Sequence, residues 1–176
     1  MPTSSPEHLK TLIRDVPDFP VEGILFRDVT PLLRDPRALG EVVDYFAERY
    51  RDAGVQAVAG IESRGFIFGA PLALRLNAGF VPIRKLGKLP ADRIRREYAL
   101  EYGTNVLEMH RDAVRPGERV LVVDDLLATG GTARASVELV EELGAKVIGA
   151  AFVIELGFLD GRRELAGHDV FSLLTY

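Results

Sequence analysis

The sequence predicts an α/β fold, a mostly parallel twisted sheet flanked by helices. Short apolar, largely β-branched runs at 55–61, 80–83, 106–109, 120–123, 146–154 and 170–175 alternate with segments whose apolar residues recur at helical spacing. The run Val120-Leu121-Val122-Val123 is apolar at every position, the pattern of a strand covered on both faces. This alternation of strands and helices implies parallel strands joined by right-handed crossovers, with helices on both faces of the sheet.

Each element has its own local signal. Ser5-Pro6 reads as an N-cap and first helical residue, followed by a stripe of Leu9, Leu12, Ile13 and Val16 in one helix that Pro17 stops. Residues 19–28 form a loop or short strand, unusually apolar for a connection. Asp35-Pro36 opens a second helix with Leu39, Val42, Val43 and Phe46 inward and Gly54 beyond its end. After the strand at 55–61, the turn Glu62-Ser63-Arg64-Gly65 leads into a helix at 66–76, and a strand follows at 80–83. Residues 84–105 carry Arg, Lys, Gly and Pro without apolar period until Tyr98, which reads as a flexible lid loop. A strand at 106–109 and a turn at 115–118 precede the run at 120–123. The next helix places Val137, Val140 and Leu143 inward and ends at Gly144.

The chain has 176 residues, 47% hydrophobic and 27% charged, as expected of one globular domain spanning 1–176. A formal net charge of −4 argues against a nucleic-acid partner, which calls for a basic face. It leaves room for a small anion held by a local basic cluster. With no cysteine, neither a disulfide framework nor a thiolate metal site can form. The N-terminus lacks a basic segment before an apolar one, and nothing reaches membrane-spanning length, so no membrane partner and a cytoplasmic location are expected.

The chemistry concentrates where the run at 120–123 meets Asp124-Asp125-Leu126-Leu127-Ala128-Thr129-Gly130-Gly131-Thr132. A turn of glycines and hydroxyls entering a helix start offers backbone N–H groups and a positive dipole end to a phosphate. Ionised Asp124 and Asp125 are acceptor-only and suit the vicinal hydroxyls of a sugar. Together these features point to a sugar phosphate. Dinucleotide and P-loop fingerprints are absent, and the acidic pair comes too late in the chain for a receiver domain. Spelled this way, the run resembles the 5-phosphoribosyl 1-pyrophosphate (PRPP) signature of the type I phosphoribosyltransferase family.

Further stretches sharpen the resemblance towards the adenine-using branch of that family. Ile61-Glu62-Ser63-Arg64-Gly65-Phe66 is similar to the family's pyrophosphate turn, which implies a cis Glu62–Ser63 peptide and a pyrophosphate contact from Ser63 and Arg64. Arg84, Lys85 and Lys88 suit the charges of PRPP, whereas Arg93, Arg95 and Arg96 read as solvated. Leu100-Glu101-Tyr102-Gly103 resembles the family's catalytic loop, implying that Glu101 manages a proton on the base and that Tyr102 lies at the PRPP site. The stretch 23–28 matches a small N-terminal hood, within 1–34. There the resemblance implies that Phe26 stacks on adenine while main-chain groups of Leu25 and Arg27 read its edge.

The resemblance implies conversion of adenine and PRPP to AMP and pyrophosphate in purine salvage. Arg64, Lys88 and Glu101 would be catalytic, and Asp124, Asp125 and the turn Ala128-Thr129-Gly130-Gly131-Thr132 would hold the phosphoribosyl group. Two carboxylates are too few for a dedicated metal cage, so no metal-binding residue is assigned and Mg²⁺ is expected to arrive with PRPP. A homodimer is implied as well. A transferase for xanthine or another purine would share the sugar-phosphate half and differ in the hood. A PRPP-sensing regulator would call for a basic extension that the sequence lacks.

Overall fold

A computed structural model of the chain describes residues 5–99 and 104–176. The N-terminal part is a 3₁₀ helix, Pro6–Leu12, then β1 (Arg14–Pro17) and β2 (Leu25–Asp28), paired antiparallel with Val16 opposite Phe26. Here the structure departs from the expected single helix. Leu9 is buried, but the chain extends after Ile13 because β1 gains a ladder with β2, reinforced where Arg14 pairs with Asp28. Pro17 therefore ends an edge strand, where its missing N–H costs little, and not a helix. A short helix α1 (Thr30–Arg34), unanticipated from the sequence, leads into α2 (Pro36–Tyr50), whose first N–H groups are capped by Asp35 as expected.

The main sheet follows: β3 (Ala57–Ile61), α3 (Arg64–Leu76), β4 (Gly79–Lys85), β5 (Arg93–Ala99), β6 (Thr104–His110), β7 (Arg119–Leu127), α4 (Gly131–Glu142), β8 (Lys146–Glu155) and β9 (Val170–Thr175). Strand order is β5-β6-β4-β3-β7-β8-β9. Strands β4, β3, β7, β8 and β9, the last at the sheet edge, are parallel, whereas β6 runs antiparallel to both β4 and β5.

Within 84–105, residues 93–99 are thus a strand and not part of an aperiodic loop. Between residues 93 and 98 the alternate positions Ile94, Arg96 and Tyr98 are sheltered while Arg93, Arg95 and Glu97 are exposed. That period of two is written mostly in amphipathic side chains, whose stems bury while their polar ends stay wet, so a search for apolar residues passes over it. Leu100, Glu101, Tyr102 and Gly103 lie outside the described residues.

Alternation along β7 divides the interior. Val120 and Val122 pack with Ala57, Ala59, Val137 and Val140 on the α4 side. Leu121 and Val123 pack with Val58, Phe46, Phe68 and Leu72 on the α2–α3 side. From β3 the chain crosses through α3 to β4, and from β7 it crosses the other way through α4 to β8. The carboxyl ends of β3 and β7 therefore flank a point where the winding reverses, and ligands of open α/β sheets bind in such a crevice. Among the described residues no helix is long and apolar enough to cross a membrane.

The two sides of the crevice meet at Gly65. A Cβ there would stand 2.6 Å from the Val123 carbonyl oxygen and 3.0 Å from an Asp124 carboxylate oxygen. Gly65→Ala is expected to destabilise the fold by about 1–3 kcal/mol, because backbone must move to admit the methyl group. Denaturant unfolding measures this, and a loss below about 0.5 kcal/mol would mean that the contact yields easily.

Candidate active site

β3 and β4 run in register with Ile61 opposite Ile83, and this places Glu62 beside Arg84. The Glu62 carboxylate accepts from Arg84 Nε at 2.8 Å and from Lys85 N at 2.9 Å. Burial would raise its pKa, but these two bonds and the nearby cations overcome that and hold it below the usual carboxylate range. The Glu62–Ser63 peptide is cis, as the resemblance implies. Helix α3 then starts at Arg64.

On the opposite wall β7 runs on through the acidic pair to Leu127, so the carboxylates sit within the strand and not beyond its end. Asp125 is almost wholly buried, and the Arg64 guanidinium pairs with it. Asp124 Oδ1 accepts from Asp125 N at 2.9 Å. Desolvation, then the charge of Asp125, pushes the Asp124 carboxyl well above its ordinary pKa. Burial alone would depress Arg64, but Asp125 foremost, with Asp124 and Asp28, holds its pKa up.

Past β7 the chain turns through Ala128, Thr129 and Gly130. Gly130 adopts φ +89°, and a Cβ there would lie 2.4 Å from the Gly161 carbonyl oxygen. Only glycine fits this combination of left-handed backbone and close approach. No side chain caps the start of α4, so its first N–H groups stay available to a ligand. Ser136 Oγ turns back to donate to the Thr132 carbonyl at 2.8 Å.

These pieces enclose a cavity of about 340 Å³. Its walls include Ser63, Arg64, Lys85, Asp124, Asp125, Ala128, Thr129, Gly130, Gly131 and Thr132, ten residues singled out in the sequence. Other expected residues stand elsewhere. Arg84 is drawn to Glu62, with its guanidinium 5.8 Å from the centre of the Phe66 ring. Lys88 is exposed and off the wall. Leu25, Phe26 and Arg27 do not line the cavity either. Phe26 abuts it through Arg64, whose guanidinium carbon lies 5.5 Å from the ring centre, and packs edge-on against Phe19 at 5.1 Å. The Arg27 side chain points away, to Asp15 and the face of Tyr176. Glu101 and Tyr102 fall outside the described residues.

Sequence reasoning passed over Glu62, Tyr98 and Asn105, all on the cavity wall. Tyr98 and Asn105 face each other across the β5–β6 ladder, and the alternation from Ile94 onward is the signal that identifies Tyr98.

An acid pair beside an uncapped helix start, faced by a cation from a second strand-to-helix turn, can grip a phosphorylated sugar at both ends. Residues 28–171 match the model of the phosphoribosyl transferase domain, which sets the class. The relatives are more particular. Adenine phosphoribosyltransferase of Solibacter usitatus is 60% identical over 168 residues, covering 96% of this chain and 97% of that protein. Its counterpart from Halothermothrix orenii is 55% identical, covering 94% and 98% respectively. The crystal structure of adenine phosphoribosyltransferase from Thermoanaerobacter pseudethanolicus superposes with a TM-score of 0.95 at 52% identity, covering 98% of this chain and 100% of that one. The Saccharomyces cerevisiae enzyme, crystallised with an imino-altritol bisphosphate and adenine, gives 0.91 at 42% identity, with 96% and 97% covered. The chain belongs to the adenine phosphoribosyltransferase family.

The raised pKa of Asp124 carries a sign for stability. Its favourable contribution is complete in acid and is lost as pH rises from the ordinary carboxylate pKa through the raised folded value. Asp124→Asn removes that dependence while its amide oxygen can still accept from Asp125 N. The variant should melt above the wild type at about pH 8, with the gap closing towards about pH 4. An unchanged or lower melting temperature at about pH 8 would contradict the assignment.

Proposed function

We propose that the chain transfers the 5-phosphoribosyl group of PRPP to adenine, giving AMP and pyrophosphate. The observation that carries this reading is the single cavity shared by Asp124, Asp125, the open start of α4 and Arg64. In it the N–H groups at Gly131 and Thr132, with the Thr129 and Thr132 hydroxyls, receive the 5′-phosphate. The carboxylates of Asp124 and Asp125 accept from the ribose hydroxyls. Ser63, Arg64 and Lys85 face the pyrophosphate and offset its charge as it departs from C1. Arg84 and Lys88, off the wall in this arrangement, would have to approach the pyrophosphate from its rim.

Phe26 extends the site past Arg64 towards the base, in keeping with a stacking role, and main-chain groups of Leu25 and Arg27 lie on the same strand. Adenine's exocyclic amine donates where a 6-oxopurine accepts, so a backbone carbonyl there selects for adenine. Glu101, with Tyr102 next to it, serves as the acid–base group for the purine nitrogen that attacks C1. Positioning and exclusion of water supply the rest of the acceleration.

Among the described residues no group of three or more His, Asp or Glu side chains is arranged to hold a metal. Two neighbouring carboxylates nevertheless suit Mg²⁺ that brings most of its ligands as substrate oxygens and water. Bound in that way, with Asp124 and Asp125 beside it, the ion would neutralise the developing charge on pyrophosphate. The same reading includes a cytoplasmic location and a homodimer. The exposed apolar residues Ile67 and Leu74, with Pro71 between them on one side of α3, support a covered face.

Incubation with PRPP and Mg²⁺ in the presence of adenine, hypoxanthine, guanine or xanthine tests the assignment. AMP should form with adenine at least about 10³-fold faster than the other mononucleotides form from their bases. Turnover of a 6-oxopurine at a comparable rate would overturn the specificity, and no mononucleotide from any base would overturn the activity.

A further inference from the structure

We infer that Tyr98 is a further substrate-binding residue, offering its phenol to the 5′-phosphate end of the cavity, and that Arg96 is the positioning residue that places it; the inference rests on the phosphoribosyl reading of the site. Along β5, Ile94, Arg96 and Tyr98 turn to the sheltered face. Ile94 is buried in the core that includes Val137 and Val140 of α4, and Tyr98 packs against the same cluster. Tyr98 is also one of the residues that line the cavity, and its hydroxyl bonds to no described residue. A phenol with an apolar body fixed in a core and an O–H that no described residue engages is a ready donor to an anion in the adjoining polar cavity.

The position of Arg96 indicates which end of the cavity the phenol serves. Its Nη2 donates to Glu142 Oε2 at 2.6 Å, and its Nε is 3.3 Å from Glu138 Oε2. That Nε is buried and makes no aligned hydrogen bond, so the guanidinium is held by the Nη2 bond to Glu142 and by the charge of Glu138. Arg96 thus lies over the C-terminal half of α4. Two residues further on, Tyr98 shares the cavity wall with Thr132 and Ala133 at the helix start. β5 therefore runs back along α4 towards the phosphate turn.

Glu138 also accepts from Arg134 Nε at 2.9 Å, and Arg134 Nη1 donates to Glu164 beside Gly130. The charges join β5, α4 and the segment against which the phosphate turn packs. Partly exposed pairs of this kind add little to global stability. Their consequence is local, since they set where β5, and with it Tyr98, stands over the helix start.

Isothermal titration of the full chain with AMP and separately with pyrophosphate, together with steady-state kinetics, tests the inference. Tyr98→Phe should weaken AMP about tenfold, the scale of one hydrogen bond to a charged group. The KM for PRPP should rise similarly, with kcat and the pyrophosphate affinity changed less than about twofold. Arg96→Met should weaken AMP about threefold without lowering the melting temperature appreciably, and Arg96→Lys should recover part of that loss. Tyr98→Phe/Arg96→Met should bind AMP no worse than Tyr98→Phe alone, because the arginine acts through the phenol. AMP affinity of Tyr98→Phe within about twofold of the wild type would overturn the binding role. Additive losses in the double variant would overturn the positioning role. A wild-type chain that binds no AMP and turns over no PRPP would overturn the phosphoribosyl reading itself.

Discussion

The ligand-binding edge depends on how closely the start of α3 approaches the end of β7. β3 and β7 are adjacent and parallel, with Gly60 level with Val123, and their helices depart to opposite faces. That topology opens a crevice, but its width is set by Gly65 against the Val123 carbonyl. With glycine there, Arg64 reaches Asp125 and the two strand-to-helix turns close round one space. A second tight contact, Gly130 against Gly161, fixes the other side. Each turn alone is ordinary α/β architecture, and their enforced proximity makes a site for a ligand charged at both ends.

The electrostatics of that space oppose stability. Two adjacent carboxylates, one almost wholly buried and the other desolvated, repel each other and are only partly offset by Arg64. Such an arrangement is retained where a ligand supplies what the fold lacks, here hydroxyl donors for the acids and an anion for the helix start. Glu62 completes the pattern from the other wall. It holds the Arg84 guanidinium and the Lys85 backbone N–H, so an acid that sequence inspection treats as part of a turn keeps one of the expected cations off the cavity wall.

The parallel core was legible because β7 and β8 are apolar along most of their length and the helices carry plain 3.6-residue stripes. The site's main chain was legible too, since Ser63-Arg64 and 124–132 are contiguous in sequence and need only local geometry. What escaped inspection depends on pairing between distant segments. The β1–β2 ribbon replaced the last turn of an expected helix because Val16 finds Phe26 across a ladder. β5 was concealed because its sheltered positions are Ile94, Arg96 and Tyr98, a pattern with one aliphatic residue in three, whereas the apolar run of β6 at 106–109 was legible. Arg84 was expected to face the ligand freely, and only the register of β3 on β4 reveals its carboxylate partner.

The central claim is that main-chain amides at the start of α4 receive a monophosphate whose sugar is fastened by the neighbouring acids. Titration of the isotopically labelled protein with ribose 5-phosphate, followed through backbone amide resonances, tests it most directly. The account predicts large saturable shifts at Thr129, Gly130, Gly131 and Thr132, with smaller ones at Asp124 and Asp125. Saturable binding that leaves those amides unmoved and perturbs a different part of the molecule would contradict it.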